Sequence, residues 1–424
     1  MTLLLGPTQS QAAYKLDRQF GNSGLVTTDL GPAETTALVS SQALAGDRQG
    51  RLIFGAANFD EWQIRRYWRG GELDSSFGTD GIATVADWGG IVEDYEGNAS
   101  VTSAAVRPDG RILLVGFTRG GSGRNLGAAN LIMKQLTPDG APDLSFGDSN
   151  GGLEFESSVG AADVTLQPDG KFLVAGFKEK GRSTNGLLVR FLPNGKKDPS
   201  FGNRGRMSIG HKGNRASYVF DVDVLKNGRI LASGTQSNQY MVMKLHPNGR
   251  FVKSFGNGGK KVLGVAGKRC RCELGRRFTR DRKGRILITG YVQPPKREKP
   301  IYGAIVRLKP NGKVDRSFGR RGVVRLYDGR STKLYDIAVD KKGGIWTTGT
   351  GGPEFGKRRT STIRLLPSGR LDRRTSRIGA LSKPLGDAGA GWGLLPVGRS
   401  IYASGRWEKG GSESTYLRRF VPRR

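Results

Sequence analysis

Residues 107–116 read Arg-Pro-Asp-Gly-Arg-Ile-Leu-Leu-Val-Gly, a tight-turn sequence followed by an apolar run that closes on glycine. Residues 167–176 repeat this pattern with Asp-Gly, and residues 226–234 repeat it with Asn-Gly. Asp-Gly and Asn-Gly between apolar runs strongly indicate a β-hairpin, because both residues accept the positive φ angles of a tight turn. The closing glycine recurs along the whole chain, at Gly55, Gly116, Gly176, Gly234, Gly290, Gly349 and Gly405.

A second pattern, Leu-Asp-x-x-Phe-Gly, also occurs seven times. Its phenylalanines are separated by as few as 54 residues (Phe201 to Phe255) and as many as 69 (Phe77 to Phe146). One unit is therefore long enough for four short strands. The copies begin at Leu16, Leu73, Pro142, Lys197, Phe251, Val314 and Leu371, and the last has degenerated to Leu-Asp-Arg-Arg-Thr-Ser.

Each unit reads as strand A, hairpin, strand B, variable loop, strand C, turn and strand D. Strand C ends in Pro-x-Gly, as in residues 187–195 and 304–312. In the sixth unit, we place the four strands at residues 336–339, 345–348, 362–366 and 323–326. Seven repeats of four antiparallel strands predict an all-β, seven-bladed β-propeller.

The two ends of the repeat array predict how the ring closes. A strand-D copy at residues 25–28 has no strands A to C before it, and the copy that starts near Trp392 has no strand D after it. We therefore expect the N-terminal strand to complete the last blade and to remove the open edges. The expected organisation is one propeller over residues 15–424, preceded by a disordered N-terminus or a signal-peptide remnant over residues 1–14.

The two repeated motifs together resemble the bacterial delta-60 repeat proteins. The resemblance covers residues 15–424 and rests on Leu-Asp-x-Ser-Phe-Gly and Pro-Asp-Gly-Lys/Arg-Ile-Leu-x-x-Gly. It implies a β-propeller in a secreted or cell-surface, extracytoplasmic setting, and it implies no activity. Unit seven departs by losing its Phe-Gly. Unit five departs by placing Arg277 and Arg280 in strand A, where other units carry small or apolar residues.

The N-terminal sequence leaves the start of the native protein open. Met-Thr-Leu-Leu-Leu-Gly-Pro lacks the basic first region of a secretory signal, whereas Ser10-Gln-Ala-Ala13 resembles a small-residue cleavage region. A floppy terminus and a signal peptide whose start lies upstream of Met1 are both compatible with this sequence. No stretch approaches the roughly 18 apolar residues of a membrane-spanning helix.

Positive charge is concentrated in the second half of the chain. The formal net charge is +32; residues 1–200 carry 19 basic and 23 acidic side chains, and residues 201–424 carry 50 and 14. A field of one sign over half a molecule attracts polyanions at long range.

Repeated residues are expected to serve the blades, so function is expected where the repeats differ. We assign the repeated Asp17, Asp74, Asp143, Asp198 and Asp315 to the turns, where they accept hydrogen bonds from backbone amides. In a propeller the A–B and C–D turns share one face, and the variable B–C and D–A loops share the other. Acidic residues mark the variable face in blades one and two: Asp60, Glu61, Asp87, Glu93, Asp94 and Glu96.

Basic residues mark the same loops in blades four to six. Their candidate members are His211, Lys212, Arg215, Lys268, Arg269, Arg271, Arg276, Lys296, Arg297, Lys299, Arg330, Lys333, Lys357, Arg358 and Arg359.

These loops predict binding of an acidic polymer, namely teichoic acid, an acidic polysaccharide or nucleic acid. Arginine suits this role because its planar fork matches phosphate and carboxylate groups. Two alternatives remain open. One is a protein–protein interaction scaffold whose partner has an acidic surface, and the other is a merely solvated face. The aromatic residues of these loops are few (Tyr291, Tyr327, Phe355), so base stacking is not signalled. We expect a monomer without a cofactor.

Enzyme signatures are sparse. A Ser-His-Asp hydrolase needs a positioned histidine, and the chain has only His211 and His246, the latter in a repeated turn. Cys270-x-Cys272 lacks further ligands for a metal site, and whether it forms a strained disulfide or two thiols stays open. The alternative worth retaining is a polysaccharide lyase acting on a uronate polymer, with His211, Arg215 and Arg276 near the substrate.

Overall fold

The computed structural model describes residues 14–32, 43–57, 61–85, 98–119, 129–147, 152–181, 183–210, 216–265, 272–296, 299–327, 331–352, 359–374 and 387–423. Within these ranges the chain forms β-strands joined by turns, arranged as seven antiparallel sheets. No helix in this part of the chain is long and apolar enough to cross a membrane. The predicted seven-bladed β-propeller is thereby confirmed.

The strands follow the blades in chain order. Blade 1 contains β3 (Ala43–Gly46), β4 (Leu52–Ala57), β5 (Trp62–Tyr67) and β6 (Ile82–Val85). Blade 2 contains β7 (Asn98–Val106), β8 (Ile112–Arg119), β9 (Ala129–Leu136) and β10 (Gly152–Ser157). Blade 3 contains β11 (Val159–Leu166), β12 (Phe172–Lys180), β13 (Ser183–Phe191) and β14 (Arg206–Ile209). Blade 4 contains β15 (Ser217–Val224), β16 (Ile230–Gln236), β17 (Gln239–Leu245) and β18 (Lys260–Leu263).

Blade 5 contains β19 (Cys272–Arg280), β20 (Ile286–Gln293), β21 (Tyr302–Leu308) and β22 (Val323–Leu326). The described strands of blade 6 are β23 (Ser331–Val339), β24 (Ile345–Gly352) and β25 (Arg359–Leu365). Blade 7 combines β26 (Ala388–Val397), β27 (Ser400–Lys409) and β28 (Ser412–Pro422) with the N-terminal β1 (Tyr14–Leu16) and β2 (Leu25–Pro32).

One strand assignment from the sequence was wrong. Residues 323–326, placed above in the sixth unit, form β22 and pair with β21 of blade 5. The reason is chain order: the Leu-Asp-x-x-Phe-Gly turn leads from a strand C directly into the strand D of the same blade.

The first strand of each blade lies at the centre of the ring. These innermost strands contact one another in sequence from β3 through β7, β11, β15, β19 and β23 to β26, and β26 contacts β3. Apolar side chains fill the gaps between adjacent blades. Seven buried clusters lie at the seven blade interfaces, so the hydrophobic core is a ring around the channel.

The N-terminal strands complete blade 7, as predicted. β2 pairs with β28 from Leu25–Arg418 to Asp29–Ser414, and β1 pairs further along the same strand. Phe20 is fully buried among residues of blades 7 and 1. The ring is therefore closed by a sheet whose strands come from both ends of the chain.

The repeated aspartates do serve the turns. Asp198 accepts a hydrogen bond from the backbone amide of Ser200 (3.0 Å) and forms a 2.8 Å ion pair with Arg190 on strand C. Arg190 also donates to the carbonyl oxygen of Pro247 in the next blade. Blades 1 and 5 repeat this arrangement. The aspartates therefore fasten adjacent blades together.

Candidate functional site

A β-bulge interrupts the innermost strand of every blade from 2 to 7. In blade 5, for example, the pairing shifts between Gly275 and Phe278. The bulge explains the repeated closing glycine, because a methyl group on Gly290 would collide with the carbonyl oxygen of Leu274. The same collision would occur at the closing glycines of blades 2, 3, 4, 6 and 7. The glycine that closes the hairpin motif is thus required by the bulge that shapes the wall of the channel.

The bulged residues line a cavity of about 460 Å³ in the channel, here called the central cavity. It lies toward the face of the B–C and D–A loops, since its walls come from the starts of A strands and the ends of B strands. One bulged residue comes from each of blades 2 to 7: Thr102, Ala162, Phe220, Arg276, Tyr335 and Trp392.

Arg276 lies between two aromatic rings of the central cavity. Its guanidinium carbon is 5.2 Å from the ring centre of Phe220 and 5.2 Å from that of Tyr335. Tyr335 in turn stacks on Trp392, with ring centres 4.6 Å apart. Cation–π contacts of this kind stabilise a desolvated guanidinium by roughly 0.5–2 kcal/mol each. The aromatic rings therefore hold this cation in place, and it forms no salt bridge with any acidic side chain among the described residues.

The next residue, Arg277, has the opposite role. Its Nη1 atom lies 2.6 Å from Oδ1 of Asp163 and 3.6 Å from Oδ1 of Asp221. Burial alone lowers the pKa of Arg277, but the charges of Asp163, Asp221 and Asp336 outweigh this effect and raise that pKa. Arg277 is thus a charged member of an internal ion cluster.

The aspartates of this cluster also join neighbouring blades. Backbone N–H groups of the next blade donate to Asp163 (from Val222, 3.1 Å), to Asp221 (from Phe278, 2.6 Å) and to Asp336 (from Leu394, 2.6 Å). Burial raises the pKa of Asp336 to about 6, against the opposing charge of Arg277. Burial and the charge of Asp163 raise the pKa of Asp221 above its ordinary value.

The wall formed by blade 7 supplies further polar groups. Arg406 forms a 2.8 Å ion pair with Oε1 of Glu413. The indole nitrogens of Trp392 and Trp407 and Oε2 of Glu413 are buried and have no hydrogen-bond partner among the residues that the structure describes. Buried polar groups without partners cost free energy. A ligand with hydroxyl or charged groups is therefore the kind that this wall favours.

The structure brings few of the sequence-predicted basic residues together at the cavity. Arg276 lines it, but as part of β19 rather than of the predicted D–A loop. Lys333 was also predicted in a loop and lies in β23, with its ammonium 5.4 Å from the ring centre of Tyr291. β19 and β23 both begin before the apolar residues from which the sequence predicted them. The reason is that backbone pairing with strand B continues as far as Cys272–Gln293 in blade 5 and Ser331–Gly352 in blade 6.

The remaining predicted residues divide into two groups. Lys296 and Lys299 are exposed between β20 and β21, and Arg359, predicted in a loop, begins β25. The others lie outside the described residues: His211, Lys212, Arg215, Lys268, Arg269, Arg271, Arg297, Arg330, Lys357 and Arg358. Cys270 also lies outside them. Among the residues with described positions, no three His, Cys, Asp or Glu side chains are grouped as metal ligands.

Sequence reasoning missed the aromatic character of the site. Phe117, Phe177, Phe220, Tyr335, Trp392 and Trp407 line the central cavity. The sequence prediction of few aromatic residues concerned the variable loops, whereas these six rings belong to the strands around the cavity. A signal was present: the residue before the strand-A aspartate changes from Ala162 to Phe220 to Tyr335 between copies of an otherwise repeated strand.

Comparisons with known proteins identify the fold. The family profile described as "Domain of unknown function (DUF5122) beta-propeller" matches residues 167–201, in blade 3. No curated protein matches the chain. A PL25 ulvan lyase structure is 12% identical, with a TM-score of 0.54 over 91% of this chain and 94% of that one. A virginiamycin B lyase from Staphylococcus aureus is 11% identical, with a TM-score of 0.46 over 92% and 99%. At 12% identity the likeness to the ulvan lyase is one of fold alone.

Proposed function

We propose that this protein is a non-catalytic binding propeller whose ligand is an acidic polymer, anchored by Arg276 in the central cavity. The observation that carries the proposal is the pairing of the cavity arginines. Arg277 is neutralised by two aspartates and Arg406 by Glu413, whereas Arg276 makes only aromatic contacts among the described side chains. A guanidinium held in this way can offer its planar fork to a carboxylate, sulfate or phosphate group.

The walls of the cavity favour an acidic polysaccharide over teichoic acid or nucleic acid. The stacked rings of Tyr335 and Trp392 offer flat apolar surface, and the partnerless polar atoms of Trp407 and Glu413 suit hydroxyl groups. The volume of about 460 Å³ is that of a small-ligand pocket, for which roughly 300–1,000 Å³ is usual. We infer that one end or one short segment of the polymer enters the cavity.

The basic loops would act at longer range. Lys296 and Lys299 are exposed on the same face, and residues 201–424 carry 50 basic against 14 acidic side chains. Such a field raises the local concentration of a polyanion and its association rate, and salt weakens it. In this proposal the loops attract the polymer, and Arg276 selects the segment that binds.

We further propose that the chain is a delta-60 repeat protein that acts outside the cytoplasm as a monomer. The seven repeats and the profile match over residues 167–201 support the first part. Mass spectrometry of the native protein in cell fractions tests the location. Recovery from an extracytoplasmic fraction would agree with the proposal, and recovery only from cytosol with Met1 retained would contradict it.

A polysaccharide lyase on a uronate polymer is the alternative in the enzyme class. Ulvan lyases share the propeller fold at 12% identity, and the candidate base His211 lies outside the described residues. Incubation with pectate, alginate and heparin distinguishes the two, because a lyase produces an unsaturated sugar that absorbs in the ultraviolet. Flat traces on all three agree with a binding protein.

The binding proposal is tested with a salt-titrated panel of alginate, heparin, teichoic acid and DNA. We expect saturable binding that differs between polymers and weakens steeply from about 50 to about 200 mM salt, because counterions are released. Equal binding of all four would reduce the charge to non-specific attraction. No binding would favour an acidic protein partner and an interaction scaffold.

A further inference from the structure

A second cationic surface lies on the opposite face of the propeller, between blades 5 and 6. A groove of about 840 Å³ runs between the A–B turns at residues 281–285 and 341–343, here called the turn groove. Leu287, Ile345 and Arg307 are buried in its floor. The repeated turns of this face were expected to serve the blades, and between blades 5 and 6 the structure gives the face a distinct local shape and charge.

Five of the six cations that line the turn groove fall into two classes, and the sixth, Lys342, has an interaction of its own. Those of the floor are neutralised: Arg285 pairs with Asp281 at 2.6 Å, and Arg307 pairs with Asp315 at 2.8 Å. Arg282, Lys283 and Lys341 on the rim are exposed, and they form no salt bridge with any carboxylate in the described part of the chain. The rim is therefore a source of uncompensated positive charge.

The turns do not need these cations to fold. At the matching positions, blades 2 and 3 carry Pro-Asp, and Asp169 accepts from the backbone amide of Lys171 (3.2 Å). In blade 5 the amide of Lys283 donates instead to Asp281 (3.0 Å), and in blade 6 Asp340 accepts from the amide of Lys342 (2.9 Å). In blades 5 and 6 the aspartate that precedes the turn thus fixes its geometry. The two residues after this aspartate, which are basic in both blades, are not required for the turn.

The charged rim continues toward the centre of the ring. Arg282 and Lys341 also line an adjoining cavity of about 250 Å³, whose far side carries the exposed Arg399 of blade 7. Among the described residues, Tyr14 is the one aromatic residue that lines either cavity, and it is 2% exposed. This chemistry suits charged groups without stacking, in contrast to the central cavity.

We propose that the turn groove is a second anion-binding site that takes the phosphate or sulfate groups of a flexible oligoanion, independently of Arg276. Three rim cations close together match a ligand with several tetrahedral oxyanions, and lysine binds such groups as a point charge. Attraction between the rim and the ligand would be electrostatic and sensitive to salt.

The test is titration with inorganic tripolyphosphate and, as the sulfate arm, a heparin oligosaccharide. The groove variant is Arg282→Glu with Lys341→Glu. The matched control is Lys196→Glu with Lys253→Glu, two exposed lysines on C–D turns of the same face. Arg276→Gln is the third variant. Melting temperatures equal to that of the wild type establish that each variant folds. If the groove variant does not fold, Arg282→Gln with Lys341→Gln replaces it.

We expect the groove variant to weaken tripolyphosphate binding about tenfold or more, while the control and Arg276→Gln change it by no more than about twofold. A larger loss of affinity for the heparin oligosaccharide than for tripolyphosphate in the groove variant would identify sulfate as the preferred group of the turn groove. Equal weakening by the control would overturn the proposal, as would wild-type affinity in the groove variant. Weakening by Arg276→Gln alone would assign the anion to the central cavity instead.

Discussion

The Nη1 atom of Arg277 lies 2.6 Å from Oδ1 of Asp163 and joins blade 5 to blade 3 across the central channel. In blades 3, 4 and 6 the equivalent position is an aspartate that accepts a hydrogen bond from the next blade, so the expectation of a small or apolar residue there was wrong for these three blades. Arginine at this position in blade 5 balances the charge of the surrounding aspartates. The neighbouring Arg276 has no acidic partner among the described residues, so Arg277 belongs to the internal ion cluster and Arg276 is the proposed ligand anchor.

Replacing Arg277 is expected to destabilise the propeller. Arg277→Gln leaves Asp163 and Asp221 close together without their counter-charge. Removing one partner of a buried ion pair costs about 3–5 kcal/mol, and we expect the low end because the Arg277 side chain keeps 17% exposure. Chemical denaturation measures the effect. Arg280→Gln is the control on the same strand, since its pair with Asp223 is exposed and should contribute less than about 1 kcal/mol. Equal effects of the two would contradict an internal role for Arg277.

The stability of the cluster is expected to depend on pH through Asp336. Its folded pKa of about 6 lies above the ordinary value of 3.8, so ionisation disfavours the folded state. The contribution of Asp336 is thus present below pH 4 and is lost as the pH rises through 6. The free energy of unfolding of Asp336→Asn, relative to that of the wild type, should therefore rise as the pH increases from 4 to 6 and stay constant above pH 6. A difference between the two proteins that stays constant across this range would refute the assignment.

The N-terminal clasp is expected to be as firmly packed as an internal blade strand. Phe20 and Phe77 occupy the same repeat position, and both are fully buried. Phe20→Ala and Phe77→Ala should therefore each cost about 3–5 kcal/mol. Parallel urea titrations compare them. A much smaller loss for Phe20→Ala would mean that the clasp opens independently of the ring.

Deleting residues 1–30 is expected to lower the melting temperature markedly. The deletion removes β1 and most of β2, which exposes the edge of β28, and it removes Phe20 from the interface between blades 7 and 1. Thermal unfolding followed by circular dichroism provides the measurement. An unchanged melting temperature would argue against closure by the N-terminal strands.

Much of the fold was predictable because its determinants are local and repeated. The Asp-Gly turns and closing glycines such as Gly290 specify hairpins, and the unmatched strand at residues 25–28 specified the closure of the ring. The sequence also singled out Arg277 as an exception. It could not show that Phe220, Arg276 and Tyr335 meet, because packing of adjacent blades brings together residues more than 50 positions apart in the sequence.

The central claim is that Arg276 anchors an acidic ligand in the central cavity, and the most direct test is the affinity for alginate oligomers of Arg276→Gln compared with Arg280→Gln. Both variants remove one positive charge from β19, but Arg276 lies in the middle of the strand and Arg280 is exposed at its C-terminal end. A charge-assisted hydrogen bond contributes about 1.5–3 kcal/mol. We therefore expect about tenfold or greater weakening for Arg276→Gln, with less than about twofold for Arg280→Gln. Wild-type affinity in Arg276→Gln, or equal weakening in both variants, would contradict the account.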